Sequence, residues 1–510
     1  MTAHPNPAPT ELEVKFLLPL GAEAALERHP DLRTGAAPSP EVREEVTVYF
    51  DTSDHSLLRA GASLRVRHSR GERVQTLKLR GAHGPFGRSE WEWPLDGEAP
   101  DPRLLATTPV ASMVASNPLE PVFRAEVRRT VRTVRRGDAV IEMVVDIGTL
   151  LADGAREPIR EMELELKGGS PAALYRFAES IQADIPLLLG AEAKSDRGWR
   201  MLTGRPRAAE KAIEPALRPD MSGAEAFRRL AGAILASLLA NQPAAAAGGM
   251  EGVHGMRIAI RRMRALLALF RPHLAPDVEE HFTDMLRRVG RVLGEARDWD
   301  VFCVQTLPEL VRTGLDPSFA QALQRAAEGE RAAAHARVRA EFGGTALTRM
   351  VIGLAAWAED PTALSGRADG GAMARPLSDL AGALEKRLRR QVRRRGRRIR
   401  RRSEEELHDL RKALKKLRYA LEFLEPLHRH KRLKAYLRHC KDLQESLGAL
   451  NDAAVAVALA ERLALTSEGL GPAVTELRDG AAWRGDAALD GLPAAWRSFK
   501  QQPIPKVVAG

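Results

Sequence analysis

Two patterns of apolar and polar residues divide this chain. In residues 1–204 charged and apolar side chains alternate with a period of two, which is the pattern of β-strands. After residue 219 the segments are long and rich in Ala, Leu and Arg, and they predict helices. The sequence therefore predicts an α+β multidomain protein in which a strand-rich part precedes an all-helical part.

The alternating segments are short and separated by turn-forming residues. One runs from Glu11 to Phe16, and seven more strands are predicted at Val46–Phe50, Ala62–His68, Val74–Arg80, Arg88–Pro94, Phe123–Val134, Val140–Ile147 and Glu161–Lys167. Their polar faces are almost purely Glu, Asp, Arg and Lys. A sheet could expose such a face to water, but solvent-facing strands usually carry Ser, Thr and Gln as well. The pattern favours a closed barrel with a charged lumen and with its apolar faces turned outward under covering helices.

The helical part contains an internal repeat. Val253-His254-Gly255-Met256-Arg257 recurs as Leu407-His408-Asp409-Leu410-Arg411, and Leu293-Gly294-Glu295-Ala296-Arg297-Asp298 recurs as Leu447-Gly448-Ala449-Leu450-Asn451-Asp452. Both blocks are displaced by 154 residues, which predicts two homologous helical bundles. The predicted divisions are residues 1–204 for the strand domain, a proline-containing linker at 205–219, a helical domain at 220–500 with repeats at about 220–360 and 376–500, and a tail at 501–510.

The net charge is unevenly distributed along the chain. Residues 1–200 contain 26 Lys and Arg against 30 Asp and Glu, whereas the remaining 310 residues contain 52 against 37. The helical part should therefore attract a polyanion such as inorganic polyphosphate, nucleic acid or an anionic membrane surface.

Cys303 and Cys440 are the two cysteines, too few for a disulfide framework or a cysteine-rich zinc site. No apolar run is long enough to span a membrane and no signal peptide is evident, so we expect a cytoplasmic protein.

A lumen that contains both carboxylates and cations suits a metal-bound oligophosphate. Arg and Lys side chains bind phosphate oxygens, while carboxylates bind Mg²⁺ or Mn²⁺, which in turn bridge phosphate oxygens. Hydrolysis then requires a water molecule in line with the terminal phosphoryl group and no covalent intermediate. Neither a P-loop nor a Ser–His–Asp or Cys–His arrangement is evident in the sequence.

The strand motifs form an ordered series: Glu11-Leu12-Glu13-Val14-Lys15, Tyr49-Phe50-Asp51-Thr52, Leu64-Arg65-Val66-Arg67, Thr76-Leu77-Lys78, Asp146-Ile147-Gly148, Glu161-Met162-Glu163-Leu164-Glu165 and Lys194-Ser195. Over about residues 10–203 this series resembles the CYTH superfamily, the triphosphate tunnel metalloenzymes. The resemblance implies an eight-stranded antiparallel barrel that encloses a tunnel, with Mg²⁺ or Mn²⁺ as cofactor. Family members hydrolyse inorganic triphosphate, thiamine triphosphate or nucleoside triphosphates, or cyclise ATP.

The resemblance also implies roles for individual residues of this chain. The metal would be held by Glu11, Glu13, Asp146, Glu161 and Glu163, and the triphosphate would be bound by Lys15, Arg65, Arg67, Lys78, Arg129 and Lys194. Glu11, Glu13 and Lys15 form the predicted catalytic group. Arg129 is adjacent to Arg128, so a register shift of one residue would exchange the one that faces the lumen.

Each helical copy contains a basic stripe when its residues are placed at 100° intervals. The first stripe is His254, Arg257, Arg261, Arg262 and Arg264, and the second is His408, Arg411, Lys412, Lys415, Lys416 and Arg418. A single stripe could be a solvated helix face. However, no Asp or Glu occurs between His254 and Phe270, so the first stripe repels itself unless an anion is bound.

These basic helices, together with Leu293-Gly294 and Leu447-Gly448, resemble the CHAD domain, the conserved histidine α-helical domain, over about residues 220–500. The resemblance implies two bundles related by pseudo-twofold symmetry and a surface that binds inorganic polyphosphate. The tract Lys386–Arg402 holds 12 basic residues in 17 and has no interleaved aromatic residues, which does not favour nucleic acid as a specific partner. It is either an exposed basic helix without a dedicated ligand or an extension of the polyphosphate surface.

The leading hypothesis is a metal-dependent enzyme that hydrolyses inorganic triphosphate to diphosphate and phosphate, fused to a polyphosphate-binding domain that could target it to polyphosphate granules. One alternative is a non-catalytic polyphosphate-binding scaffold. Another is an enzyme that acts on nucleoside or thiamine triphosphate, including ATP cyclisation. Nucleic-acid binding by the basic half is a further alternative, and the sequence predicts no oligomeric state.

Overall fold

The computed structural model of the protein describes residues 10–33, 39–80, 84–115, 117–205, 208–360, 371–503 and 505–507, without the side chains of residues 483 and 484. The chain divides into two compact units. The first unit is Met1–Ile213 with Leu235–Ala247 and Phe342–Asp360, and the second is Glu214–Ile234, Gly248–Glu341 and Pro361–Gly510. The domain bounds that we inferred from the sequence stay predictions.

Nine strands lie in the first unit. They are β1 (Thr10–Leu17), β2 (Glu41–Thr52), β3 (Ala62–Ser69), β4 (Glu72–Arg80), β5 (Gly87–Pro94), β6 (Leu119–Arg136), β7 (Ala139–Ala152), β8 (Ala155–Gly168) and β9 (Leu188–Leu189). The helices in chain order are α1 (Ala22–Arg28), α2 (Pro30–Arg33), α3 (Ser56–Arg59), α4 (Ala111–Val114), α5 (Pro171–Asp184), α6 (Lys194–Thr203), α7 (Gly223–Ala246), α8 (Met250–Phe270), α9 (Pro276–Val301), α10 (Leu307–Arg312), α11 (Pro317–Phe342), α12 (Thr345–Glu359), α13 (Leu377–Arg395), α14 (Glu404–Phe423), α15 (His430–Thr466) and α16 (Gly471–Gln501).

The long strands form a closed antiparallel barrel. Their order is β5-β4-β3-β2-β6-β7-β8-β1, and the ring closes because β1 also pairs with β5, with Glu11 opposite Arg88. The short strand β9 pairs with β1 beyond that point. The structure confirms the predicted eight-stranded antiparallel barrel. Closure removes the exposed edges and turns alternate residues of every strand into one lumen.

The apolar faces of several strands pack outward beneath short helical segments. Leu64, Val66 and Leu77 of β3 and β4 form a core with Leu105 and Val114, which belong to the segment between β5 and β6. The lumen is also closed in part by α6. Trp199 of this helix packs on Phe123 of β6, and a Cβ atom at Gly198 would lie 2.4 Å from the Phe123 ring, so the helix approaches the strand very closely here. This packing fixes α6, which carries Lys194.

The helical part of the chain contains two copies of one arrangement. The first copy is residues 223–342 and the second is residues 377–501. The first four helical runs, which begin at α7, α8, α9 and α11, start 154 residues before α13, α14, α15 and α16, respectively. A π-helical turn at Phe302–Thr306 joins α9 to α10, whereas α15 is continuous over the equivalent positions. The elements of the two copies therefore correspond one to one, as the sequence repeat predicts.

Hydrogen bonds at the start of the two copies are reciprocal. The Gly223 amide donates to the Arg375 carbonyl at 3.0 Å, and the Leu377 amide donates to the Met221 carbonyl at 2.8 Å. Residues 221 and 375, and 223 and 377, are equivalent under the 154-residue displacement. Such an exchange is the contact expected across a twofold axis, and it confirms the predicted pseudo-twofold arrangement. None of the helices in the described part of the chain combines the length and hydropathy needed to cross a membrane.

Candidate functional site

The barrel lumen contains a cavity of about 640 Å³. Its wall within the described residues includes ten Lys and Arg side chains and eight Asp and Glu side chains, so it is densely charged and close to neutral. Nine residues predicted from the sequence line it: Glu11, Glu13, Lys15, Arg65, Arg67, Lys78, Arg129, Glu163 and Lys194. Asp146 and Glu161 are completely buried behind this wall.

One cluster of charges lies where β1 meets β4 and β5. Lys78 Nζ is 2.9 Å from both carboxylate oxygens of Glu11 and 3.2 Å from Glu90 Oε1. The Arg88 guanidinium donates to Glu11 Oε2 at 2.8 Å and also pairs with Glu13. Two cations thus neutralise the two acidic residues of the Glu-x-Glu motif.

A second cluster surrounds Lys194 at the N-terminus of α6. Its ammonium lies 2.9 Å from Asp146 Oδ2, 2.9 Å from Glu161 Oε2 and 2.8 Å from Glu163 Oε1. Arg129 forms a bidentate pair with Asp146, at 2.8 and 2.7 Å. Arg129 and Asp146 are opposite each other across β6 and β7, and Asp146 and Glu161 are opposite across β7 and β8, so strand register assembles this cluster.

These contacts displace the pKa values of the carboxyl groups in different directions. Burial raises the pKa of Glu13, and the opposing effect of Arg88 is smaller. Burial also disfavours ionised Glu163, but Lys194, Arg129 and Lys15 together hold its pKa well below the ordinary value. The pKa of Lys194 is raised well above its usual range because three carboxylates outweigh the effect of burial. Both clusters therefore depend on pairing between opposite charges.

Arg65 and Arg67 are less completely paired. Arg65 lies 3.8 Å from Glu90, Arg67 lies 3.3 Å from Glu92, and the Arg65 Nε atom is buried without a hydrogen-bond partner among the described residues. Burial and the neighbouring Arg65 lower the pKa of Arg67. A phosphate group in the cavity would supply the missing acceptors.

Lys15 enters the lumen from the β1 side. Its ammonium donates to the Glu192 carbonyl and lies 3.9 Å from Glu161 Oε2. A Cβ atom at Gly190 would lie 2.9 Å from Lys15 Cε, so the glycine leaves space for the lysine chain. Lys15 is thus held at the margin of the second cluster.

The carboxylates of the lumen are the hard oxygen donors that Mg²⁺ and Mn²⁺ prefer. In the described part of the chain no three His, Cys, Asp or Glu side chains converge closely enough to hold a metal ion as they stand. The physical reason is that Lys78, Arg88, Arg129 and Lys194 contact the carboxylate oxygens directly. The donor chemistry fits a divalent cation, and binding it requires that these cations give up carboxylate contacts.

Arg88 and Arg197 are among the basic residues of the site for which the sequence predicts no role. Arg88 alternates with Glu90 and Glu92 on β5, so the strand pattern could have placed it in the lumen. Arg197 lies one helical turn after Lys194 and donates to Glu161 Oε1 at 2.6 Å. Strand alternation cannot reveal Arg197 because it belongs to α6.

The second unit contains a cavity of about 200 Å³ between its two copies, which we call the inter-copy cavity. Its lining includes, from α8, α9, α14 and α15, the residues His254, Arg257, Arg261, Arg297, Asp298, Arg411, Lys415, Asn451 and Asp452. Five of these belong to the two predicted basic stripes. The stripes of the two copies therefore meet at one place.

Other members of the stripes lie elsewhere. Arg262 is buried, where it pairs with Glu214 at 2.6 Å and lies over the Phe423 ring. His408 is exposed and contacts Asn451, and Lys412 pairs with Asp409. The three remaining stripe members, Arg264, Lys416 and Arg418, are half-buried and do not line the inter-copy cavity.

Several donors in the inter-copy cavity have no partner. His254 Nδ1, Arg261 Nε, Arg297 Nη1 and Arg411 Nε are buried without a hydrogen bond to any described residue. Burial together with Arg411, Arg261 and Arg257 lowers the pKa of Lys415 to about 7. Converging cations and unsatisfied donors are the features of a site for an anion.

Both parts of the chain match known domain families. The CYTH domain family matches residues 9–198, and the CHAD domain family matches residues 229–461. The chain carries a CYTH domain followed by a CHAD domain. The barrel lumen thus belongs to the CYTH domain and the inter-copy cavity to the CHAD domain.

Several known proteins are similar to parts of the chain. An inorganic triphosphatase of Haemophilus influenzae is 30% identical over 154 residues, which are 30% of this chain and 44% of that protein. An uncharacterized protein of Mycobacterium tuberculosis is 28% identical over 270 residues, 50% of this chain and 51% of that one. The chain thus spans about half the length, or less, of these curated relatives. The crystal structure of the CHAD domain from the plant Ricinus communis has a TM-score of 0.52 and 27% identity, covering 59% of this chain and 99% of that domain.

Proposed function

We propose that the CYTH domain hydrolyses inorganic triphosphate to diphosphate and phosphate with the help of a divalent cation. The single observation that carries the proposal is the closed lumen, in which ten basic and eight acidic side chains of the described residues line one cavity. The similarity to an inorganic triphosphatase supports it. A neutral but densely charged cavity can bind a highly charged complex of oligophosphate and metal without a large change in net charge.

The pairing in the lumen indicates how the protein's own side chains would act. Arg65, Arg67 and Lys78 would bind the phosphate oxygens, since Arg65 and Arg67 have weak acidic partners and Lys78 contacts two competing carboxylates. When Lys78 turns from Glu11 to phosphate, the Glu11 carboxylate becomes available to a cation. Phosphate binding and metal binding would therefore favour each other.

The carboxylates that would hold Mg²⁺ or Mn²⁺ are Glu11, Glu13, Asp146, Glu161 and Glu163. A bound divalent cation would neutralise charge on the phosphate oxygens and orient them for in-line attack by water. Lys194 and Arg129, which line the cavity, would keep the acidic residues of β7 and β8 in position. Lys15, beside Glu161, would contact the phosphate chain from the β1 side.

The packing of aromatic residues favours a linear phosphate over a nucleotide. Tyr49 stacks on Phe123, and Trp199 contacts both Phe123 and His55. Trp91 and Trp93 pack against the outer core of the barrel. The aromatic residues of the cavity wall are thus engaged in packing and are poorly placed to stack on a base.

Phosphate release by the full chain tests this proposal. Inorganic triphosphate, ATP and thiamine triphosphate should be assayed in parallel with Mg²⁺, with Mn²⁺ and with EDTA. We expect equal amounts of phosphate and diphosphate from inorganic triphosphate, slower release from the other two substrates, and no release in EDTA. Formation of cyclic AMP would favour the cyclase alternative, and no reaction with any substrate would favour a non-catalytic scaffold.

We propose further that the CHAD domain binds inorganic polyphosphate in the inter-copy cavity. The observation that carries this proposal is the convergence of Arg257 and Arg261 from one copy with Arg411 and Lys415 from the other. The buried Nε–H groups of Arg261 and Arg411 require acceptors, and phosphate oxygens provide several at short spacing. The cytoplasmic location and the association with granules stay predictions.

Polyphosphate affinity should depend on pH through Lys415. This lysine faces Arg257 and Arg261 of α8, Arg411 of α14 and Asp452 of α15, and Arg297 and Asp298 of α9 line the same cavity. A bound anion favours the charged ammonium, so binding takes up a proton and is tighter below pH 7 than above it. We expect the affinity to fall by about tenfold between pH 6 and pH 8, which corresponds to one unit of linked proton uptake.

Lys415→Arg is the matched variant for this measurement, because Arg261 occupies the equivalent position of the first copy. Arginine remains protonated across the range, so the variant should bind as tightly at pH 8 as at pH 7. Calorimetry in two buffers of different ionisation enthalpy reports the proton uptake directly. An identical pH dependence in both proteins would show that Lys415 is not the titrating group. Burial and nearby arginines also lower the pKa of His254, so a dependence that remains in Lys415→Arg at lower pH would be assigned to His254.

A further inference from the structure

A second basic groove lies in the second helical copy. It has a volume of about 550 Å³ and is formed by α14 and α15. We call it the α14–α15 groove, and its described lining is Arg418, Glu422, Lys431, Lys434, Ala435, Leu437, Arg438 and Lys441. Five of these eight residues are cations and one is an acid. Apart from Arg418, none of them belongs to the stripes identified from the sequence.

The first copy carries acids at three of the five equivalent positions, while Arg264 and Arg287 stand where the second copy has Arg418 and Lys441. Lys431, Lys434 and Arg438 correspond to Asp277, Glu280 and Asp284 under the 154-residue displacement. Residues 276–286 contain four acids and no Lys or Arg, whereas residues 430–440 contain four Lys and Arg and no acid. The fold is repeated, but the charge is reversed at these three positions of the helix face. The fold therefore does not require the three basic residues, because the first copy forms the same helices with acids at these positions.

The basic residues are also unfavourable for α15 itself. Cations at a helix N-terminus oppose the helix dipole, whereas the acids at the start of α9 complement it. Lys431, Lys434, Arg438 and Lys441 are spaced by three, four and three residues, so they lie on one face and repel one another. Within the described part of the chain, Lys431, Lys434 and Arg438 have no ion-pair partner. These cations destabilise α15 and three of them have no acidic partner in the described part of the protein. We therefore infer that a ligand of opposite charge binds them.

The stripe on α14 leads from the inter-copy cavity to this groove. Arg411 and Lys415 line the cavity, and Arg418, which continues the same helix face, lines the groove. The distance along α14 from Arg411 to Arg418 is about 10 Å, and the groove cations of α15 extend over about 15 Å. Arg418 Nη1 lies 3.2 Å from Glu422, but the buried Arg418 Nε atom has no hydrogen-bond partner among the described residues. Cationic side chains therefore follow one another from the cavity into the groove.

We propose that a polyphosphate chain bound in the inter-copy cavity leaves it over the second copy only and continues along the α14–α15 groove. This inference rests on the proposed polyphosphate binding by the CHAD domain. On the first copy the same route keeps Arg264 and Arg287 but meets three acids, Asp277, Glu280 and Asp284, which would repel the chain. The domain thus binds a long chain in one direction, although its fold is nearly symmetric.

A linear phosphate chain fits the groove better than other polyanions do. The described lining contains no aromatic residue on which a nucleic-acid base could stack. The groove continues the line of cations from a cavity of about 200 Å³, which is too small for a duplex. A flexible chain with one charge per phosphate can follow both the cavity and the groove.

The test compares a short and a long ligand on the full chain. Binding of inorganic tetraphosphate and of long polyphosphate is measured by calorimetry at several salt concentrations. The groove variant Lys434→Glu/Arg438→Asp introduces the acids of the first copy. The control variant Arg325→Glu/Arg339→Asp makes the same change in net charge at two exposed positions of α11.

We expect the groove variant to lose about 10- to 100-fold in affinity for long polyphosphate, since each cation near a polyanion contributes about 1 kcal/mol. The slope of log affinity against log salt should fall by about two, one for each substituted cation. Tetraphosphate should lose much less affinity, because the inter-copy cavity alone accommodates it. The control variant should bind both ligands nearly as the unmodified protein does.

Three outcomes would overturn the proposal in different ways. If the groove variant binds long polyphosphate as tightly as the control, the groove is not part of the path while polyphosphate binding itself stands. If the unmodified protein binds neither ligand, the proposed function of the CHAD domain fails as well. If duplex DNA binds more tightly than long polyphosphate at matched salt and depends equally on the groove, the groove is a nucleic-acid surface.

Discussion

Replacing Lys194 with methionine should destabilise the barrel by about 3–5 kcal/mol, since it removes the partner of buried charges. The Lys194 side chain is 9% exposed, and its ammonium contacts Asp146, Glu161 and Glu163 within 2.9 Å. Methionine has a similar length but leaves three buried carboxylates with fewer cations. Arg129 and Arg197 partly compensate Asp146 and Glu161, so Glu163 should be affected most.

The pH dependence distinguishes this effect from a simple loss of packing. In the unmodified protein Lys194 contributes to the low pKa of Glu163, so the stability that Glu163 supplies is lost as the pH falls through its folded pKa. Without Lys194, burial is opposed mainly by Arg129 and Lys15, so the pKa of Glu163 should rise and its protonation should cost the fold less free energy. The deficit of the variant should therefore shrink as the pH is lowered.

Hydrogen exchange measured by mass spectrometry on the full chain can report this change. Peptides from β7 and β8 should lose protection in Lys194→Met, while peptides from α13 to α16 should not. The double variant Lys194→Met/Glu163→Gln should recover part of the protection. The matched control is Lys167→Met, where a half-exposed lysine pairs with Glu165 at 2.7 Å and should cost at most about 1 kcal/mol. Equal losses in the two single variants would contradict this account of the buried cluster.

Strand alternation predicted much of this site, because successive side chains of a strand point to opposite faces of the sheet. Glu11, Glu13 and Lys15 follow from that rule alone. The same rule could not choose between Arg128 and Arg129, which the structure separates: Arg129 is buried beside Asp146 and Arg128 is exposed. The choice depends on the register of β6 against β7, which is a property of two strands and cannot be read from one.

The positions of the α6 residues could not be predicted from strand alternation. Lys194 was inferred from the resemblance to a family, and no periodic pattern in the chain places its ammonium among carboxylates of β7 and β8. Arg197 was missed for the same reason. The depth of Asp146 and Glu161 was also not predictable, because alternation distinguishes inward from outward positions but not the cavity wall from the layer behind it.

The basic stripes were predicted as single faces, and the structure divides them. Arg257 and Arg261 line the inter-copy cavity, whereas Arg262 packs against Phe423 and pairs with Glu214. A helix of the length of α8 contacts different neighbours along its axis, so one face of it meets several environments. Which environment each residue meets is decided by tertiary packing that the stripe does not encode.

The second large effect concerns the Glu-x-Glu motif of β1. We expect Glu11→Gln/Glu13→Gln to lower kcat for inorganic triphosphate by about 10²–10³-fold, the range for removing a group that stabilises transition-state charge. The lost carboxylates are two of the three proposed metal ligands that line the cavity. The half-maximal Mn²⁺ concentration should rise in parallel, and Mn²⁺ binding followed by electron paramagnetic resonance gives a second reading that does not depend on turnover. The control is Glu44→Gln/Glu72→Gln, which alters two exposed glutamates of the same barrel.

The KM of this variant should stay the same or fall, although substitutions in a binding site usually raise KM. Glu11 and Glu13 neutralise Lys78 and Arg88, at 2.9 and 2.8 Å for the contacts to Glu11. The amide side chains would no longer compete for these cations, so triphosphate should bind as tightly as before or more tightly while kcat falls. If KM rises and kcat is unchanged, the two glutamates position the substrate and do not hold the metal. If both parameters match the control, the lumen is not the site of hydrolysis.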